Sequence, residues 1–156
     1  MIKTLSITAF LALLPISELR GAIPYAITNG IRWYFAWGFC AAVNALAAPL
    51  CWLFLSTFHK LFLRSNRYKL FFTNFVERSR LKLKTGVDKW GAFGIALFVA
   101  VPLPVTGAWT GTLGAWVLGI RKPATMLAVI AGVAAAGAIV TAVVVLGIQT
   151  FSFFVK

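Results

Sequence analysis

Four stretches of the chain are almost unbroken in apolar residues: Thr4 to Ile31, Trp33 to Thr57, Gly91 to Ile120 and Ala124 to Ile148. Bilayer hydrocarbon about 30 Å thick is crossed by roughly 20 residues of α-helix. The second and fourth stretches hold no charged residue and predict transmembrane helices long enough to tilt. The first and third are longer and interrupted at the centre, by Pro15, Glu18, Arg20, Gly21 and Pro24 in one and by Pro102, Pro104 and Gly107 in the other. Proline removes a backbone N–H and clashes with the preceding turn, so each predicts two half-helices joined by a bend. Half-helices of about 11 to 15 residues reach the bilayer midplane and return, which makes a re-entrant hairpin.

The interrupted stretches also repeat. At a constant offset of 89 positions Pro15 matches Pro104, Ala26 matches Ala115, and Gly30-Ile31-Arg32 matches Gly119-Ile120-Arg121; Ala45 and Ala47 match Ala134 and Ala136. The alanine matches weigh little in so alanine-rich a chain, and the Gly-Ile-Arg triplets weigh more. A hairpin returns to the side it entered from, so hairpin plus span makes one net crossing. The second half is then inverted relative to the first, as in transporters built around broken helices. The expected fold is an all-α integral membrane protein of two inverted repeats. Each is a re-entrant helical hairpin plus one transmembrane helix, with repeat 1 at 4–57 and repeat 2 at 91–148. A basic loop, 58–90, joins them within a single membrane domain spanning 1–156.

Composition agrees with the membrane class: 61% of the 156 residues are hydrophobic and only three are acidic. A net charge of +12 would suggest nucleic acid in a soluble protein. Here nine of the basic residues, Lys60 through Lys89, crowd the loop between the repeats, and the positive-inside rule places that loop in the cytoplasm of a multi-pass cell-membrane protein. Tyr68, Phe71, Phe72, Phe75 and Val76 recur there at spacings of three and four, which fits an amphipathic helix on anionic headgroups as well as a loop that only sets topology. Hairpins and four full spans distribute the charges equally well, so the repeat carries the argument for hairpins. The apolar start runs into Pro15 and Ser17-Glu18-Leu19-Arg20 rather than a small-residue cleavage site and reads as mature structure. Cys40 and Cys51, about 16 Å apart along one helix, are beyond disulfide reach and read as packing residues.

Glu18 and Arg20 are the charged residues deep in an apolar stretch. Each would cost about 2.5–3.5 kcal/mol at the centre of a lipid-exposed helix. Such groups face cavities and mark substrate or proton pathways, or they staple a bend. Two positions apart, they share no face of a regular helix, so a mutual ion pair needs an unwound turn, which Gly21 and Pro24 would permit. At the second bend Thr106 and Thr110 supply hydroxyls, Trp109 an indole, and Gly107, Gly111 and Gly114 room for another helix. The candidate substrate-binding set is Glu18, Arg20, Gly21, Thr106, Gly107, Trp109 and Thr110. No catalytic set and no metal cluster stand out: His59 is the only histidine and lies at the membrane edge of the basic loop. An enzyme and a cofactor are not expected.

Glu18-Leu19-Arg20-Gly21-Ala22-Ile23-Pro24, with Pro102-Leu103-Pro104 and Thr106-Gly107-Ala108-Trp109-Thr110-Gly111, strongly resembles the bacterial and archaeal small multidrug export proteins. The resemblance covers nearly the whole chain; Val105, where glycine is expected, is a departure. That family in turn looks like a distant relative of the DedA membrane proteins. The likeness implies paired re-entrant hairpins, acidic and arginine residues at the hairpins, and flipping of polyprenyl-phosphate carriers. The chain lacks the extra helices and the arginine-rich second motif associated with DedA proteins.

The expected function is therefore a membrane transporter or flippase for an anionic substrate, such as a polyprenyl phosphate or another phospholipid. Its phosphate would meet the N-termini of the returning half-helices near Gly21 and Thr106-Gly107. The alternative is a proton-coupled exporter of small hydrophobic cations with Glu18 as the proton and cation site. The expected partners are membrane lipid and a second copy of the chain in a homodimer, because two spans alone hardly shield two hairpins from lipid. Nucleic acid is not expected.

Overall fold

The computed structural model describes residues 2–62, 91–103 and 106–154. Its helices are α1 (Ile2–Leu13), α2 (Glu18–Thr28), α3 (Trp33–Ala45), α4 (Ala47–Phe62), α5 (Gly91–Ala100), α6 (Ala108–Val117) and α7 (Lys122–Phe154). No strand occurs among the described residues. The interrupted stretches become the pairs α1–α2 and α5–α6. The amphipathic pattern from Tyr68 to Val76 lies outside the described residues.

Among the described residues two helical stretches are long and apolar enough to cross a membrane: Trp33–Thr57, made of α3 and most of α4, with mean hydropathy 1.8, and Lys122–Ile148 of α7, with mean hydropathy 2.6. Large apolar side chains cover the outside. Ile2, Phe10, Leu53, Leu127 and Val143 each expose more than 60% of their surface, an arrangement that water would penalise and lipid does not. The chain is an all-helical membrane protein.

The interior is made largely of small residues. Ala12, Ala22, Ala26, Ala47, Ala48, Ala108 and Ala115 are fully buried, and without large side chains between them the helix backbones approach closely. A side chain at Gly132 of α7 would strike Val99 and the carbonyl oxygen of Ala96 on α5, and one at Gly111 would strike Val99. Trp37 of α3 lies over Gly137 and donates its indole N–H to the Ala134 carbonyl at 3.1 Å. Gly114, by contrast, has nothing within 4 Å of where its Cβ would be, so it provides no close approach.

Packing links the two halves crosswise. α2 packs on α3 and on α7, while α6 packs on α7 and on α4. The ends of α2 and α6 are built alike. Gly30 and Gly119 take left-handed φ angles of 84° and 74°. At the first, Gly30 N–H donates to Ile27 and Ile31 N–H to Ala26, each at 3.0 Å; at the second, Gly119 N–H donates to Trp116 at 3.1 Å and Ile120 N–H to Ala115 at 3.0 Å. These are Schellman caps, and the left-handed residue is why each triplet opens with glycine.

Three expectations change. The second apolar stretch is two helices rather than one, interrupted at Leu46, because Pro49 has no N–H for the Ala45 carbonyl and its ring crowds that turn. Pro24 lies inside α2 without ending it, so the bend falls at Leu14 to Ser17 and Gly21 sits within regular helix. The last helix runs beyond the expected 124–148, from Lys122 to Phe154.

Candidate functional site

A bend inside an apolar medium leaves the last carbonyls of one helix and the first N–H groups of the next without partners, and each must find one. At the first bend, Leu14 N–H bonds the Phe10 carbonyl at 3.1 Å and Glu18 N–H bonds Leu14 at 3.0 Å. Two further carbonyls are met from elsewhere in the fold. Asn44 Nδ2, on α3, donates to Ala12 at 2.6 Å, and Trp109 Nε1, on α6, donates to Leu13 at 2.9 Å. The end of α1 is thus closed by α3 and by α6.

The second bend closes mostly on itself. The Thr106 hydroxyl donates to the Val101 carbonyl and accepts from Leu103 N–H at 3.0 Å. Thr110, in the first turn of α6, accepts from Gly107 N–H at 3.1 Å. The next two N–H groups, of Ala108 and Trp109, act on the carboxylate of Glu18. That carboxylate lies directly against Gly107, where any Cβ would collide with it. Glu18 therefore stands at the N-terminus of α6 as a capping side chain would, but reaches it from the start of α2.

Glu18 is 6% exposed and has a φ of 45°, the left-handed region that costs a non-glycine residue roughly 1–2 kcal/mol. This backbone aims the side chain across to α6 instead of along α2. Arg20 is half-buried and its charge acts on Glu18 as well. A cleft of about 330 Å³ opens between Pro15 and Ile16 on one side and Thr106, Gly107 and Thr110 on the other, with Glu18 and Arg20 in its wall. A much smaller crevice of about 10 Å³ continues inward past Glu18 and Arg20 to Asn44.

Of the residues expected from sequence, Glu18, Arg20, Thr106, Gly107 and Thr110 come together in this cleft. Trp109 joins them through its N–H on Glu18 and its indole on Leu13. Gly21 is not among the residues lining the cleft; it faces Ser17, whose hydroxyl a side chain would strike. The N-terminus of α6, expected to receive a substrate phosphate, already has an internal carboxylate. Cys40 and Cys51 are buried free thiols, and Cys51 Sγ contacts the Trp109 carbonyl at 3.7 Å. Sequence reasoning missed Asn44. A lone amide in the middle of an apolar span was the available signal, since such a group must find a partner there.

An all-helical membrane protein with a buried carboxylate and an arginine in a cleft between two helix bends fits a role in membrane transport. The chain is a member of the family described as "Putative small multi-drug export protein", whose sequence profile matches residues 18–139. That range takes in Glu18, Arg20, Thr106, Gly107 and Thr110 of the cleft and begins just after Pro15 and Ile16. No curated protein and no solved structure matches the chain.

Proposed function

We propose that this protein exports small hydrophobic cations in exchange for protons, with Glu18 as the site both compete for. The observation that carries the reading is the placement of Glu18: a buried carboxylate at the wall of a cleft, held by α6 from the opposite half. An ionised carboxylate favours the N–H groups at the start of α6; a protonated one, or one paired with a cation, holds them less strongly. Loading the site therefore changes how firmly the two halves grip each other. The family description points to the same kind of substrate. In this reading the cargo crosses chemically unchanged and only a proton is exchanged at Glu18, so the protein acts as a carrier.

The same reading takes α1–α2 and α5–α6 as re-entrant hairpins of two inverted repeats. Three features support it. The Schellman corners recur at the sequence offset, α2 and α6 exchange packing partners crosswise, and the carbonyls of the first bend are met by protein donors, as membrane depth requires. The exposed apolar faces of α4 and α7 fit lipid contact or a second copy of the chain, and the charge of the basic loop supports a cytoplasmic position for it.

One observation favours a second reading, transport of a phosphate-bearing lipid: Arg20 lines the same cleft and offers a positive charge to an anion. The occupied α6 terminus argues against it. Reconstituted vesicles separate the two. Uptake of an ethidium-like cation driven by a pH gradient and lost in Glu18→Gln is expected, and movement of a polyprenyl phosphate without cation uptake would reverse the order.

A further inference from the structure

Asn44 is fully buried. Its Nδ2 is held by the Ala12 carbonyl at 2.6 Å, but its Oδ1 has no hydrogen-bond partner. A buried amide oxygen without a donor costs about as much as a hydrogen bond lost outright, so a membrane span that keeps one invites a use for it. The amide lines the crevice that leads to Glu18 and Arg20. At about 10 Å³ that crevice is close to the size of one water molecule, and Asn44 and Glu18, polar groups in an otherwise largely apolar wall, are the partners a buried water needs. α3 contributes the neutral Asn44. The bend before α6 contributes Thr106 and Gly107, α7 contributes Val133, Ala136 and Val140, and Arg20 is the other charged group in the lining.

We propose that Asn44 Oδ1 and the Glu18 carboxylate hold one water molecule between them, and that this water delivers the coupling proton to Glu18. The inference rests on the exchange reading above. In the loading step a hydronium held at this position passes one proton to a Glu18 oxygen. The O–H bond to the water breaks, a carboxyl O–H forms, and a neutral water remains hydrogen-bonded to Asn44 Oδ1. Asn44 is then a positioning residue: it fixes the donor in line with the carboxylate while its Nδ2 holds the end of α1. A single side chain ties the proton's path to the bend that carries Glu18.

The test uses the full chain in liposomes, with an ethidium-like cation as cargo and imposed pH or sodium gradients, for wild type, Asn44→Leu, Asn44→Asp and Glu18→Gln. Asn44→Leu fills the space and removes the acceptor. It is expected to slow pH-driven uptake by about tenfold and to raise the pH midpoint of transport by about one unit, because the ionised carboxylate loses a donor. Asn44→Asp, which keeps an acceptor, is expected to restore most of the rate. Infrared difference spectra should show the carboxyl C=O band of Glu18 moving in Asn44→Leu and returning in Asn44→Asp, although Asn44→Asp lacks the donor to Ala12 just as Asn44→Leu does. An unchanged midpoint and an unmoved band in a folded Asn44→Leu protein would overturn the proposal, as would uptake driven by sodium and not by protons. Full uptake by Glu18→Gln would instead overturn the exchange reading itself, whatever Asn44 does.

Discussion

The indole N–H of Trp109 donates to the carbonyl of Leu13 at 2.9 Å, across 96 residues of sequence. The bond joins the first turn of α6 to the last residue of α1, so the α5–α6 pair closes part of the bend between α1 and α2. Trp109→Phe keeps the ring and removes the donor, leaving a carbonyl in an apolar surround. A loss of about 1–3 kcal/mol is expected, measured as earlier unfolding of the detergent-solubilised protein. An unshifted transition would mean that the Leu13 carbonyl finds another donor.

Gly107 is expected to behave as part of the Glu18 site although it has no side chain. Gly107→Ala puts a methyl where the carboxylate now lies. Transport should fall about tenfold, short of the loss in Glu18→Gln, since losing one hydrogen bond to a charged group is worth roughly 1.5–3 kcal/mol. The double variant should unfold no earlier than the less stable of the two single ones, because both remove the same contact. Additive losses of stability would show that Gly107 acts otherwise.

Glycines elsewhere should divide by what faces them. Gly132→Ala drives a methyl toward Val99 and the Ala96 carbonyl and should destabilise by about 1–3 kcal/mol. Gly114→Ala meets nothing and should leave stability unchanged or raise it by up to about 1 kcal/mol. Thermal unfolding of the two variants side by side checks the contrast; equal losses would contradict the close approach of α5 to α7.

Topology has its own measurement. In a background with Cys40 and Cys51 replaced by alanine, cysteines introduced at Ser65 and at Arg121 should react with an impermeant reagent from one side, and a cysteine at Arg32 from the other. Labelling of Ser65 and Arg121 from opposite sides would establish four full spans and remove the hairpins.

What the sequence disclosed follows from how local each signal is. The Gly-Ile-Arg triplets were legible as a repeat, and the structure adds the reason, a left-handed corner that constrains a single residue at Gly30 and at Gly119. Glu18 and Arg20 stood out because charge is expensive in apolar surroundings. The partner of Glu18 could not be read, since it is the end of a helix in the other half, and a helix end carries its partial charge on backbone atoms that sequence does not distinguish. Asn44 was passed over for a similar reason: its meaning lies in a carbonyl 32 residues away. The break at Leu46 was legible in principle from Pro49, but the uninterrupted apolar run hid it.

That break makes the two halves mechanically unequal. In α7 every change of direction has to stretch a continuous ladder of backbone hydrogen bonds from Lys122 onward. At Leu46 a rung is already missing, because Pro49 cannot supply it, and the joint can flex without sacrificing one. If the halves rock against each other, α7 is the stiff post and the α3–α4 joint is the elbow.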